Sequence, residues 1–278
     1  MSFFAAASRA TLLRCRVRRL STTIAASCPT PSQPSQPPPA PWLPWTNGGG
    51  TVHATARVDP STTVEPSAVV HAGAVVGANC LIRSGAVVGE GVSVDRDTRV
   101  GFNTSLEHCR VGARCLLHGG VRVGGDGFGF AVDPADGRVV KKPQALSVVV
   151  GDDVEIGANS CVDRGSWRDT VIGDHTKLDN MVQIGHNAVV GGSCILCAHV
   201  ALGGSSTLGA YVVMGGKSAV KDHVEVCDQV RIAAKAGVIR DIHTPGDYAG
   251  FPAVPARQWR RQVALANRGA AERHDRRR

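Results

Sequence analysis

Aromatic side chains are scarce in this chain: four Trp, two Tyr and six Phe, or 4% of 278 residues. Aromatic rings dominate ordinary cores by buried area, so an interior here has to be built from Val, Ile, Leu and Ala. No run of about 20 apolar residues occurs, which excludes a membrane-spanning helix. Acidic residues are missing from positions 1–58, which hold six Arg. Residues 256–278 carry eight Arg against two acids, whereas 59–255 carry 17 Lys and Arg against 21 Asp and Glu, a net of −4. The charge of +8 therefore comes from the two ends. A nucleic-acid surface needs clustered positive charge on the folded body, so no nucleic-acid partner is expected, and the C-terminal Arg run reads as a solvated tail. The nine Cys are an odd number. Cys194 and Cys197 form one C-x-x-C, with no second pair to complete a four-cysteine zinc site. The thiols read as reduced, small apolar side chains.

What is present begins with a leader. Met1 to Ala26 is rich in Arg, Ser, Thr and Ala and free of acids, the composition of an organelle transit peptide. Its Arg density favours the mitochondrion over the chloroplast. Cys28 to Gly50 is rich in Pro and Gly and reads as a linker, so residues 1–50 are expected to be transit peptide and linker, with the folded domain starting near Thr51.

From Val52 every sixth residue is aliphatic through Val58, Val64, Val70, Val76, Ile82, Val88, Val94, Val100 and Leu106. The phase slips at Glu107–Arg110, resumes at Val111, Leu117 and Val123, returns at Val150, Ile156 and Val162, and then runs unbroken from Ile172 to Val238. That makes 28 hexads. A period of six fits neither a helix nor a lone alternating strand. It fits a parallel β-helix in which three hexads close one triangular coil, the aliphatic pointing inward. The expectation is an all-β prism of about nine coils, roughly 45 Å long at the strand spacing. In this reading the Gly residues supply positive φ at the turns, and the repeat domain spans 51–242.

The breaks are where a solenoid puts its binding loops. One is the inserted loop 124–147, whose GGDGFGF start holds Asp126, Phe128 and Phe130; it reads as a flap or as a loop packed on the wall. The other is Asp163–Thr170, with Trp167. The glycine spacing of the first has no amphipathic helix behind it, so it is not a dinucleotide fingerprint. Zinc-dependent prisms need a His-x4-His pair; no two of the ten His here are five apart, so no metal is expected. His186 stands near a corner of the unbroken stretch, able to face outward. Residues 18 apart stack, so Asn187, Ser205, His223 and Asp241 are expected to form a polar column beside it. An imidazole titrates near neutral pH, which suits it to take a proton from an attacking amine or hydroxyl. Gly185, next to it, is expected to let substrate approach. A solvated polar edge fits the same residues.

Five segments, GGDGFGF (124–130), VEIGANSCVDRG (154–165), DTVIG (169–173), KLDNMVQIGHN (177–187) and TPGDYAGFP (244–252), closely resemble the UDP-3-O-acylglucosamine N-acyltransferase family of lipid A biosynthesis. The resemblance spans about 51–265 and implies a left-handed parallel β-helix of hexapeptide repeats with a short C-terminal helix. It implies a homotrimer and transfer of a (3-hydroxy)acyl group from acyl carrier protein to the 2-amino group of a UDP-3-O-acylglucosamine. The acyl thioester is then a co-substrate, and no cofactor is expected. His186 falls on the family's catalytic base and His223 on a second, substrate-contacting His. Asn180 and Gln183 match polar groove positions, and Asp126 and Phe128 match the flap. Residues 243–278 then form a C-terminal segment with a helix over Trp259–Asn267, where Arg257, Arg260 and Arg261 could meet the acidic carrier. The family's bacterial members carry an N-terminal uracil-stacking domain, and nothing before the repeat resembles it. Two other readings stand beside this one: a structural prism within a mitochondrial complex, and an acetyl-CoA-dependent acetyltransferase.

Overall fold

The computed structural model describes residues 42–275. The transit-peptide reading falls outside them. Two-residue strands recur with the sixfold period and stack into three parallel sheets, the three faces of a prism. The first face includes Val69–Val70, Gln183–Ile184 and Ala201–Leu202; the second Val75–Val76 and Val189–Val190; the third Leu81–Ile82 and Ile195–Leu196. Registers such as Gln183↔Ala201 and Val189↔Thr207 are spaced by one coil of three hexads. The aliphatic of each hexad points inward, and apart from the half-buried Val58 these residues line one continuous dry core. Few rings fit inside so narrow a section, which accounts for the composition.

The turns meet the expectation in part: Gly73, Gly85, Gly91 and Gly120 have positive φ at the turn position, but most turns do not use Gly. Every sixth residue from Met181 to Lys235 has positive φ, and none of them is Gly. The left-handed conformation costs an L-residue roughly 1–2 kcal/mol. It is held here because the turn N–H donates to the previous coil, as Ser193 N does to Asp174 O at 2.8 Å and Ser205 N to His186 O at 2.8 Å. Many Gly instead follow the inward aliphatic. A Cβ on Gly77 would lie 2.7 Å from Arg96 N, and one on Gly101 2.6 Å from the His118 carbonyl carbon. These Gly are required by close stacking of coils, not by φ.

The prism is also longer than the hexads marked out. Residues 42–50, expected as linker, belong to the fold: strand Trp42–Pro44 pairs antiparallel with Thr51–His53, and the Trp45 indole N–H donates to Thr62 O at 2.8 Å. At the other end the third face continues past residue 242 to Gly246–Ala249, closed by the antiparallel strand Val254–Pro255. The helix that follows, α1 (Ala256–Asp275), has 20 residues and is longer than Trp259–Asn267. It packs on Gly246–Ala249 and Val254–Pro255. No helix among the described residues is long and apolar enough to cross a membrane.

Candidate active site

The three edges of the prism are not equivalent. Each interruption of the repeat lies between a first-face strand and the next second-face strand: the slip between Ser105–Leu106 and Cys109–Val111, the flap between Arg122–Asp126 and Val148–Val150, and the loop between Cys161–Arg164 and Thr170–Ile172. His186 stands on that same edge, between Gln183–Ile184 and Val189–Val190. The reason is one of phase: each break follows an inward aliphatic of the first face.

The two insertions hold one another. Leu146 N donates to Gly165 O at 2.9 Å, Arg164 Nε to Leu146 O at 2.6 Å, and Ser147 N to Asp169 Oδ1 at 2.8 Å. Arg168 fastens the loop to the edge, its guanidinium reaching the carbonyls of Asn187, Ser205 and Ser206 at 2.6–3.3 Å and Thr207 Oγ1 at 3.1 Å. The same guanidinium lies 4.8 Å over the Trp167 ring, whose N–H donates to Ser205 Oγ at 3.2 Å. In the flap, the hairpin Phe130–Val132 and Val139–Lys141 stands out from the wall, and Asp126 pairs with Lys141. That ammonium holds the Asp126 carboxyl below the usual range.

His186 lies between two glycines. A Cβ on flap residue Gly127 would come within 2.8 Å of its Cγ, and one on Gly204, one coil on, within 2.7 Å of its Nε2. Both are close-approach glycines for the ring. Gly185 is not: it lines the cleft, but its missing Cβ would meet backbone, 2.8 Å from Gly204 N. Asn187 orients the ring. Its Oδ1 accepts from Ser166 N at 2.6 Å and Trp167 N at 3.2 Å, which turns its amide N–H2 toward His186 Nδ1 at 2.7 Å. Nδ1 is then the acceptor, and in the neutral ring the proton sits on Nε2. Asn187 N itself donates to Thr170 Oγ1 at 2.9 Å, because the loop has displaced the carbonyl that serves the other turns.

A cleft of about 770 Å³ opens over His186, lined among others by Asp126, Phe128, Lys141, Asp163, Gln183 and His223. A smaller hollow of about 330 Å³ continues past the ring between Phe128, Phe130, Gln144, Trp167, Asn187 and Ser205. The geometry therefore brings together His186, Asn187, Ser205, His223, Gln183, Asp126 and Phe128. It does not bring Asn180, which lies on the edge between third and first faces, in a separate hollow with His118 and Lys177. Nor does it bring Asp241. Ile242 bridges to Val226, 16 residues back rather than 18, so Asp241 leaves the column and accepts from Glu225 N at 2.9 Å. The residue the sequence reading passed over is Asp163, in the quoted VEIGANSCVDRG segment. Burial pushes its carboxyl up, against the hydrogen bond from Gln183 and the nearby His186. A half-buried carboxyl with a raised pKa in a cleft beside an imidazole is a recurrent mark of functional sites. Among the described residues no group of three or more His, Cys, Asp or Glu is placed to hold a metal.

Comparison with known proteins agrees with the resemblance seen in the sequence. The chain is 52% identical over 165 residues to an Arabidopsis thaliana protein named a probable mitochondrial UDP-3-O-acylglucosamine N-acyltransferase 2, covering 59% of this chain and 54% of that one. It is 43% identical over 167 residues to a UDP-3-O-acylglucosamine N-acyltransferase of Methylobacterium sp. (strain 4-46), covering 60% and 47%. The chain thus spans about half the length of the curated relatives it matches. No protein-family model matches it. Among solved structures, a UDP-N-acetylglucosamine acyltransferase from Campylobacter jejuni superposes with a TM-score of 0.52 at 19% identity, over 73% of this chain and 72% of that one. Another UDP-N-acetylglucosamine acyltransferase gives 0.51 at 25%, over 77% of each. The fold is the left-handed parallel β-helix of these proteins.

Proposed function

We propose that this chain is an acyltransferase of the UDP-3-O-acylglucosamine N-acyltransferase type. It moves a (3-hydroxy)acyl group from acyl carrier protein to the 2-amino group of UDP-3-O-acylglucosamine, in the synthesis of a lipid A-type glycolipid. The observation that carries this reading is the convergence of every repeat interruption on the edge that holds His186, under a cleft with charged and apolar walls. The names of the relatives point to the same reaction.

In this reading the amine attacks the thioester carbonyl, His186 takes the amine's proton as general base, and the thiol leaves. The base form of the ring has its lone pair on Nε2, and the Asn187 amide disfavours that tautomer. Gln183, His223, Ser205 and the flap residues Asp126 and Phe128 contact the substrates. The exposed Arg257, Arg260 and Arg261 of α1 suit an acidic carrier protein. A homotrimer with sites in the clefts between prisms, and a mitochondrial location, complete the proposal, with the name of the Arabidopsis relative in support of the latter.

The test is transfer by the purified protein from an acyl-carrier thioester to UDP-3-O-acylglucosamine, with the product read by mass spectrometry. H186A is expected to lose roughly 10²–10⁴-fold in rate with an unchanged circular dichroism spectrum. Transfer that H186A leaves intact would sink the base assignment. Turnover of acetyl-CoA alone would point to the acetyltransferase reading, and no turnover of any thioester to the structural one.

A further inference from the structure

Gln144 is 7% exposed, and its Oε1 is the one buried side-chain polar atom among the described residues that has no hydrogen-bond partner. Its orientation is fixed: Nε2 donates to Lys142 O at 3.3 Å, so Oε1 points the other way. It is not a remote defect. Gln144 lines the smaller hollow, whose other walls are the rings of Phe128, Phe130 and Trp167 and the polar groups of Asn187, Ser205 and His186. An unpaired buried acceptor costs about 1–3 kcal/mol, and native proteins keep few of them. Methionine would fill the same space without that cost.

We infer that Gln144 is a specificity-determining residue: its Oε1 accepts a hydrogen bond from a hydroxyl carried on the acyl chain of the donor thioester. This rests on the acyltransferase reading and deepens it. The two Phe rings, 4.8 Å apart, and Trp167 suit the hydrocarbon. One fixed acceptor in an aromatic wall suits a single polar substituent on it. The oxygen is closed off from solvent, so the proposed bond forms only as the flap carrying Phe128 and Phe130 gives way to the chain in the hollow that Gln144 lines. The free protein already bears the unpaired acceptor, so a hydroxylated chain gains the bond that the analogue without the hydroxyl cannot supply, and the site discriminates between them by that gain. An amide N–H on the thioester arm is the other source of the same bond.

The experiment compares two acyl-carrier thioesters of equal chain length, one hydroxylated near the carbonyl and one not, with the full chain and Q144M. The wild-type protein is expected to prefer the hydroxylated thioester by about tenfold or more in kcat/KM. Q144M is expected to lose that preference, the larger loss falling on the hydroxylated thioester, and to melt no lower than wild type. Equal loss on both thioesters, with unchanged melting, would move the bond to the thioester arm and overturn the hydroxyl assignment. A retained preference, or a lowered melting temperature with both rates reduced together, would overturn it also, the latter showing a packing role. If wild type turns over neither thioester, the acyltransferase reading fails first and takes this one with it.

Discussion

Two edges of the prism are built on one backbone and put it to different use. On the edge between the second and third faces, Thr and Cys alternate at the small position over Thr62, Cys80, Thr98 and Cys115 and again at Thr176 and Cys194, with Val in the other coils. Thr62, Thr98 and Thr176 donate to carbonyls of the next coil at 2.6–2.9 Å, and Cys80, Cys115 and Cys194 do the same with sulfur at 3.0–3.2 Å. The threonine oxygens in turn accept the N–H of those cysteines. The side-chain polar atoms of these Thr and Cys are consumed within the stack. On the edge between the first and second faces the equivalent Thr170 accepts from Asn187, a turn residue whose amide faces a histidine. There the insertions have removed the neighbouring coil's carbonyls and taken over the bonding. Polar groups become available for chemistry where the repeat is interrupted, while the periodicity keeps them in place.

One substitution made on both edges tests this. T176V leaves Cys194 N and Gly191 O without their partner and is expected to cost about 1–3 kcal/mol in denaturant unfolding, with transfer unchanged. T170V is expected to cost a similar amount and to slow transfer as well, since it frees Asn187. If the two variants lose activity alike, the edges are not functionally distinct. N187D sharpens the point at the ring itself. A carboxylate there accepts from Ser166 N, Trp167 N and a His186 Nδ1–H, and so places the lone pair on Nε2. Several-fold faster single-turnover transfer is expected if the imidazole is the base; a slower rate would make it a donor instead. The smallest effect is at Asp163. Burial raises its folded pKa above the unfolded value, so the native state is penalised above that window and relieved as pH falls through it. D163N should therefore melt somewhat above wild type at neutral pH, the difference fading toward pH ~4, near the carboxyl's unfolded value. A gap that widens in acid would contradict the assignment.

Much of this was legible in the residues. The aliphatic positions, the two insertions and the column Asn187, Ser205, His223 could all be counted. The common edge is legible too when hexads are taken in threes: Leu106, Val123, Val162 and Ile184 fall on every third one and share one face. Asn180, which the family resemblance sets among the groove positions, lies one edge away. Asp241 was misplaced because a count by 18 cannot see a shortened coil. Glycine fits the expectation at Gly73, Gly85, Gly91 and Gly120 and departs from it elsewhere for a physical reason. Hydrogen bonds between coils hold Asn, Ser, His and Lys at positive φ, while the contact that requires Gly is with a coil distant in sequence. The thiols, read as small apolar groups, have hydrogen-bond partners that likewise lie about a coil away.

The antiparallel strands Trp42–Pro44 and Val254–Pro255 carry a consequence for assembly. A stack of parallel coils is an open-ended template, and each terminal coil offers its free edge to another chain, as fibril ends do. At each end one of the three faces closes on a reversed strand, which a further parallel coil cannot continue on that face. The two caps therefore act against end-to-end growth, and whole coils could be added or removed between them without uncovering those two edges.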